Sequence, residues 1–357
     1  MSGAEATAEA TAEATGAETP AAEVGVPTLL LHDDARHGVA RYARELAAEV
    51  AERIGRDVSL AESAWTGGEA PERIHAQFTD RLWARSPEDA AERFVALAAG
   101  RRVSVTLHDV PQVSDGHAFD RRVAAYRRVL GAAELVIVNS RHELTLLSEV
   151  GLRPGSVAVI PLPAAEPTRW RQPDTLDPAL DPALDPALAV LGWIYPGKGH
   201  REAIEAAAGS GAGLAVRALG APSPGHDADA EALVALGASR GVEVTVSGFL
   251  PDADLAEAAR RVAVPLVAHQ HFSASGSINS WVSAGRRPLV IRTRYTEEMD
   301  ALRPGTLTLV DADDLVAAVA RAHTDPSSTF LAADTSTRPH PADTARALLD
   351  AWRGASA

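Results

Sequence analysis

Leu191-Gly192-Trp193-Ile194-Tyr195-Pro196-Gly197-Lys198-Gly199-His200 stands between the apolar run Ala189–Trp193 and the Ala-rich helical pattern His200–Ala208. A buried strand, a glycine turn and a helix in that order form one βα unit of a parallel sheet. Lys198 is the only lysine of the chain, since 34 Lys+Arg less one leaves 33 arginines. Such a bias suggests a coding pressure that turns Lys into Arg wherever either serves. At a strand-to-helix turn a compact ammonium suits a phosphate, and the planar fork of Arg does not replace it freely. Chance survival of one lysine is the competing explanation.

The same alternation extends in both directions. Downstream, strands are expected near Leu214–Leu219, Val242–Ser247, Val264–Ala268, Pro288–Ile291 and Thr306–Val310, with helices at Ala228–Ser239, Asp252–Val262, Ser277–Ala284 and Asp313–His323. Upstream, Thr28–Leu31, Val58–Ala61, Ile74–Phe78, Val103–His108, Leu135–Asn139 and Val157–Pro161 read as strands. Val39–Ile54, Pro87–Ala99, Phe119–Leu130 and Arg141–Val150 read as helices. Apolar strands joined by amphipathic helices imply parallel sheets in α/β layers, with ligands at the carboxyl ends of strands. The expected organisation is an acidic Ala/Thr tail at 1–25, a first domain at 26–170, and a linker of Asp-Pro-Ala-Leu repeats at 171–188. A second domain follows at 189–340 and a last helix at 341–357. Leu348, Leu349 and Trp352 of that helix have the spacing of a buried face.

Composition narrows the function. With 357 residues the chain is long enough for two cores. The formal net charge of −14 argues against nucleic acid as a partner. There is no cysteine, which excludes disulfides and thiolate metal sites. No apolar stretch reaches the ~18 residues of a membrane span. The acidic N-terminus lacks the features of a signal peptide, so the cytoplasm is the expected location.

Several segments could carry chemistry. Gly192-x-x-x-x-Gly197-Lys198-Gly199 comes close to a phosphate-binding P-loop, with a Walker-B-like trace at Leu307–Asp311. Gly199, however, stands where Ser or Thr would offer magnesium a hydroxyl. Ser273-Ala274-Ser275-Gly276-Ser277 precedes the helical stretch Ile278–Ala284, where free N–H groups can hold an anion or a serine can simply cap the helix. His108-Asp109 ends an apolar strand on the ligand-binding edge, where the imidazole could donate to a substrate hydroxyl or carry a proton. His269-Gln270-His271 has no third metal ligand in sequence. Arg121, Arg122, Arg127 and Arg128 share one helix, and a solvated face is expected there, with peripheral contact to a membrane left open.

In order and spacing these segments resemble the family-4 retaining glycosyltransferases of the GT-B fold, over most of residues 27–353. His37-Gly38-Val39-x-Arg41-Tyr42 resembles the family's first glycine-containing loop. Ile74-His75-Ala76-Gln77-Phe78 and Val105-Thr106-Leu107-His108-Asp109 resemble its strand pair at the cleft. Val136–Ser140 followed by Val157–Pro161 resembles the close of its first domain. Pro196–Gly199 resembles its Lys-Gly turn, Ser247-Gly248-Phe249-Leu250-Pro251 its nucleobase loop, and Ala284–Val290 the end of its donor-site helix with one extra residue.

The resemblance implies two Rossmann-like α/β/α domains facing across a cleft, with the last helix returning to the N-terminal domain. It implies transfer of a sugar from a nucleoside diphosphate to an unidentified acceptor with retention, without cofactor or metal. His108 and Lys198 would be catalytic. Gly38, Lys198, Phe249, Ser275, Gly276, Ser277, Asn279 and Ser280 would bind the donor, and His75 and Asp109 would lie on the acceptor side. The chain departs from the family at Trp193, where Arg is usual, and at Phe272 and Ser280, where the family carries two Glu. These departures keep two alternatives open: a glycosyltransferase-like binding protein without transfer activity, and a P-loop nucleoside triphosphatase. The composition of residues 1–25 cannot support a core. A chain beginning at Val26 is therefore expected to keep the melting temperature and ligand affinity of the whole protein. A clear loss of either in calorimetry would show that the tail docks on the body.

Overall fold

The computed structural model describes residues 25–34, 37–62, 71–167 and 184–355. The acidic tail, save Gly25, and the repeat as far as Ala183 lie outside the described residues. Six strands form the first sheet: β1 (Thr28–Leu31), β2 (Ser59–Ala61), β3 (Arg73–Phe78), β4 (Arg102–Leu107), β5 (Leu135–Val138) and β6 (Val157–Val159), in the order β2-β1-β3-β4-β5-β6. Six more form the second: β7 (Asp185–Leu191), β8 (Ala215–Leu219), β9 (Val244–Val246), β10 (Val262–Val267), β11 (Leu289–Ile291) and β12 (Thr308–Val310), in the order β12-β11-β10-β7-β8-β9. Every pairing is parallel. The strand order reverses beside β1 in the first sheet and beside β7 in the second. Such a switch opens a crevice at the carboxyl edge.

Helices cover both faces. The first half carries α1 (Gly38–Ile54), α2 (Asp80–Trp83), α3 (Pro87–Ala98), α4 (Phe119–Ala132) and α5 (Arg141–Glu149). The second carries α6 (His200–Ser210), α7 (Asp227–Arg240), α8 (Asp252–Arg261), α9 (Gly276–Ser283), α10 (Arg294–Leu302) and α11 (Leu315–Thr324), and α12 (Pro341–Gly354) ends the chain. The helices are capped by the signals expected of their sequence. Ser86, Ser140, Ser275 and Thr293 each accept a bond from a first-turn N–H. As the resemblance implies, α12 returns to the first half, and the spacing of its apolar residues gives the buried face. Leu348, Leu349 and Trp352 are buried with Leu46 and Val50 of α1, Leu29 of β1 and Ile137 of β5.

The structure corrects three expectations. β7 begins at Asp185, so the last Asp-Pro-Ala-Leu unit is strand and not linker. Pro186 is tolerated because it falls near the start of the strand. α10 was not expected, although Thr293 and Thr296 form a reciprocal cap and Tyr295 and Met299 bury one face. Arg122 does not belong to a solvated arginine face. It is buried and bonds to Asp80, Asp115 and Asp109, whereas Arg121 lies outside and pairs with Glu88.

Two other buried guanidiniums tie segments together. Arg286 belongs to the one-residue insertion before Pro288, and it turns inward. It donates to the carbonyls of Ala259, Arg260, Val262, Ala263 and Thr329, with Phe330 against its face at 4.0 Å. Arg303 donates to the carbonyls of Leu162 at 2.7 Å and Thr337 at 3.1 Å, and to Asn279 Oδ1 at 3.1 Å. Leu162 lies where the chain leaves the first half and Thr337 where it returns.

If α12 is part of the N-terminal core, Leu348→Ala should destabilise the protein by about 2–5 kcal/mol, the usual cost of truncating a fully buried leucine. Leu348 has no exposed surface. Urea unfolding at an unchanged midpoint would show that the contact carries no weight.

Candidate functional site

Lys198 lies in the turn between β7 and α6, at the point where the strand order of the second sheet reverses. Close approach shapes this turn. Gly199 has φ +102°, and a Cβ there would come within 2.7 Å of the Ala268 backbone at the end of β10. Gly192 has φ +110° and leaves its open side to Lys198, whose Nζ would be 3.2 Å from an added Cβ. These two positions require glycine, one for the packing of α6 on the sheet and one for the path of the lysine.

The ammonium is buried. Its one hydrogen-bond partner among the described residues is Ser277 Oγ at 3.2 Å, and its Nζ is 5.8 Å from the centre of the Tyr195 ring. No carboxylate pairs with it among the described residues. Burial alone pushes its pKa down to about 8. Ser277 continues the contact to Ser275 Oγ at 3.2 Å and His269 Nε2 at 3.4 Å. Ser275 caps α9 through Ile278 N, and its own N–H donates to the Tyr295 hydroxyl. Gly276 and Ser277 open α9, where first-turn N–H groups have no partner within the helix. The lysine and a helix N-terminus thus converge on one place, an arrangement suited to an anion.

Across the cleft, His108 follows β4. Its Nε2 is 2.8 Å from Gln77 Oε1, and Tyr42 of α1 meets its ring edge-on at 5.6 Å. Burial holds the imidazole at a pKa of about 3, so it is neutral at physiological pH. Asp109 is the one non-glycine residue with positive φ among the described residues, at +52°. Its backbone carbonyl is held by Arg122 at 2.5 Å and by the Tyr126 hydroxyl at 3.0 Å, while its carboxylate is half-exposed. An Asp tolerates this backbone region better than a branched residue.

The two halves meet directly beside these groups. Val110 N donates to Ser273 Oγ at 3.0 Å, and Ser273 Oγ donates to Glu143 Oε1 at 2.5 Å. Glu143 is wholly buried, which raises its pKa to about 7, and its other oxygen accepts from the backbone and side chain of Asn139. His142 Nε2 donates to Phe272 O at 2.9 Å, and Glu298 accepts from the N–H groups of Arg141 and His142. Sequence reading missed this seam. The Ser140-x-x-Glu143 pattern signals a helix start but not a partner in the other half.

The remaining expected residues fall in different surroundings. Gly38 opens α1 with open space where a side chain would be. Phe249 is exposed on the loop after β9, near Asp252, which pairs with Arg41 of α1 at 2.6 Å. His75 is buried in the first sheet, with the Trp352 ring at 5.0 Å and both ring nitrogens bonded. Asn279 gives its carboxamide oxygen to Arg303, and Ser280 bonds back to Gly276 O within α9. Phe272 is buried and stacked between His269 and Tyr295 at 4.8 and 5.2 Å. Asp311 pairs with Arg292, and β12 lies three strands from β7, so the Walker-B trace does not meet the lysine turn. Among the described residues, no cluster of His, Asp or Glu is arranged to hold a metal ion, and no helix is long and apolar enough to cross a membrane.

No protein-family model matches the sequence, and no curated protein matches it. Solved structures do. HepE of Anabaena, in complex with UDP-glucose, superposes with a TM-score of 0.64 at 16% identity, covering 92% of this chain and 98% of that one. Sucrose-phosphate synthase of Thermosynechococcus elongatus gives 0.59 at 18% identity, over 82% and 73% of the two chains. The lipopolysaccharide outer core galactosyltransferase WaaB gives 0.57 at 10% identity, over 91% and 98%. These likenesses establish the fold as GT-B.

The unpaired lysine has a measurable consequence. Its folded pKa of about 8 lies below the ordinary 10.5, so between those values the unfolded chain binds more protons. Stability therefore rises with pH across that window, and the cost of the buried charge is complete below it. Lys198→Met should stabilise the unliganded protein at pH 7 by up to about 3 kcal/mol and flatten the difference in stability between pH 8 and 10.5. A Met variant melting below wild type at pH 7 would show that the ammonium is satisfied as it stands.

Proposed function

We propose that the protein is a glycosyltransferase that moves a sugar from a nucleoside diphosphate donor to an acceptor with retention. The observation that carries this reading is Lys198: a buried cation without an acidic partner among the described residues, held at a glycine turn and aimed with Ser277 at the start of α9. An anion of two phosphates fits such a place. Charge develops on the leaving diphosphate as the glycosidic bond breaks, and a fixed ammonium with oriented N–H groups stabilises it there without reorganisation. Gly276 and Ser277 supply the N–H groups and the Phe249 loop receives the base. Gly38 leaves room beneath α1 for the donor, and the sugar projects toward His108 and Asp109. HepE holds UDP-glucose in the same fold, which supports a sugar nucleotide as the ligand. Retention and the assignment of the two catalytic residues rest on the family-4 resemblance.

A second reading has its own support. The loop before α9 contributes no carboxylate to the cleft. Phe272 is an apolar plug and the Ser280 hydroxyl is spent within its helix. A protein that binds the sugar nucleotide without turning it over fits that loop equally well.

Calorimetric titration with UDP, GDP and ATP tests the reading first. A nucleoside diphosphate should bind, and Lys198→Ala should weaken it by roughly 10–100-fold, the loss of one charged hydrogen bond of about 1.5–3 kcal/mol. A wild type that binds no nucleoside diphosphate overturns the proposal, and ATP hydrolysis would return the triphosphatase. His108→Ala should keep diphosphate affinity while lowering turnover by roughly 10²-fold. A wild type that binds but never consumes the sugar nucleotide in the presence of candidate acceptors establishes the second reading.

A further inference from the structure

Gln77 joins two buried histidines. Residues 75 and 77 of β3 and 104, 106 and 108 at or after β4 point to one face of the first sheet, as the two-residue strand period requires. Their polar atoms form a chain. Ser104 Oγ is 2.9 Å from His75 Nδ1; His75 Nε2 is 3.0 Å from Gln77 Nε2 and 3.2 Å from Thr106 Oγ1; Gln77 Oε1 is 2.8 Å from His108 Nε2. All five side chains are buried.

One direction of this chain gives every ring and hydroxyl hydrogen an acceptor and uses one of the two Gln77 amide hydrogens. The Gln77 amide and the Thr106 hydroxyl share the one lone pair of His75 Nε2, His75 Nδ1–H donates to Ser104, and Ser104 donates to Ile74 O. In the opposite direction His75 Nε2 would carry the proton, and the Thr106 hydroxyl hydrogen would have no acceptor among the described residues. A buried orphan donor is disfavoured. The first direction turns Gln77 Oε1 to His108, so His108 Nε2 holds the proton and its Nδ1 is a bare acceptor. No partner for Nδ1 is found among the described residues.

We infer that Gln77 is a positioning residue: it fixes His108 in its Nε2-protonated form, so that His108 meets the donor sugar as a hydrogen-bond acceptor for a hydroxyl and not as a proton donor. The sugar as ligand rests on the function proposed above; the state of the ring does not. Burial keeps both histidines neutral, each held near a pKa of about 3.

Ring-nitrogen NMR on protein labelled with ¹⁵N-histidine decides the matter, with His108 assigned by the signals missing from His108→Ala. At pH 7 wild-type His108 should show a neutral ring protonated at Nε2. Protonation at Nδ1, or a cation, overturns the inference. Gln77→Met should average the two forms of the ring, while Gln77→Glu, still an acceptor, should keep the proton on Nε2; an unchanged ring in the Met variant also overturns it. In titrations the Met variant should keep its UDP affinity and weaken for UDP-glucose by about fivefold, the effect of one misoriented hydrogen bond. Equal weakening for both ligands overturns the sugar contact. A wild type that binds neither overturns the functional reading on which that contact rests, and the ring signals still decide the role of Gln77.

Discussion

Arg303 holds both passages of the chain between the two sheets. One guanidinium binds the carbonyl of Leu162 on the way out and that of Thr337 on the way back, and it reaches Asn279 on α9 as well. The mutual placement of the two sheets therefore depends on a group buried at their crossing, and α9 is registered to the same point. From there the cleft is closed by Val110 and Glu143 on Ser273, by His142 on Phe272, and at the far side by Arg41 on Asp252. A site built from two bodies works only if such supporting contacts hold its parts to within a fraction of an ångström.

The buried cations divide by how they are satisfied. Arg286 meets a ring of backbone carbonyls, whose dipoles answer its charge, and Arg122 meets three aspartates. Both are complete within the protein and act as structure. Among the described residues Lys198 has one hydroxyl as hydrogen-bond partner. Desolvation without compensation is costly, and that cost at Lys198 is what the function proposed above assigns to an incoming anion. Among the described residues the same contrast separates His75, bonded at both ring nitrogens, from His108, bonded at one.

Much of this was legible in the residues. The alternation of apolar strands and amphipathic helices located all twelve strands to within a few residues, because each buried strand is a local run of apolar side chains. The lone lysine between glycines marked the turn at the switch of strand order. The spacing of Leu348, Leu349 and Trp352 marked a buried face on the last helix. α10 was legible in principle, since Thr293 and Thr296 form its cap, but its apolar face is short. The start of β7 was hidden by a repeat that looks the same in a linker and in a strand.

Sequence by itself determined the layers, the order of the elements and the position of the lysine turn, because periodicity, caps and glycine turns act over a few residues. The tertiary structure alone decided which polar groups are spent and which are left over. Asn279 and His75 carry the same chemistry on paper as the residues of a binding site, yet the carboxamide oxygen of one accepts from Arg303 and the ring nitrogens of the other bond to Ser104 and Gln77. Arg122, one of four arginines on a helix, became the support of Asp109. Hydrogen bonding is directional and saturable, so a polar side chain's role follows from partners brought to it by distant parts of the chain.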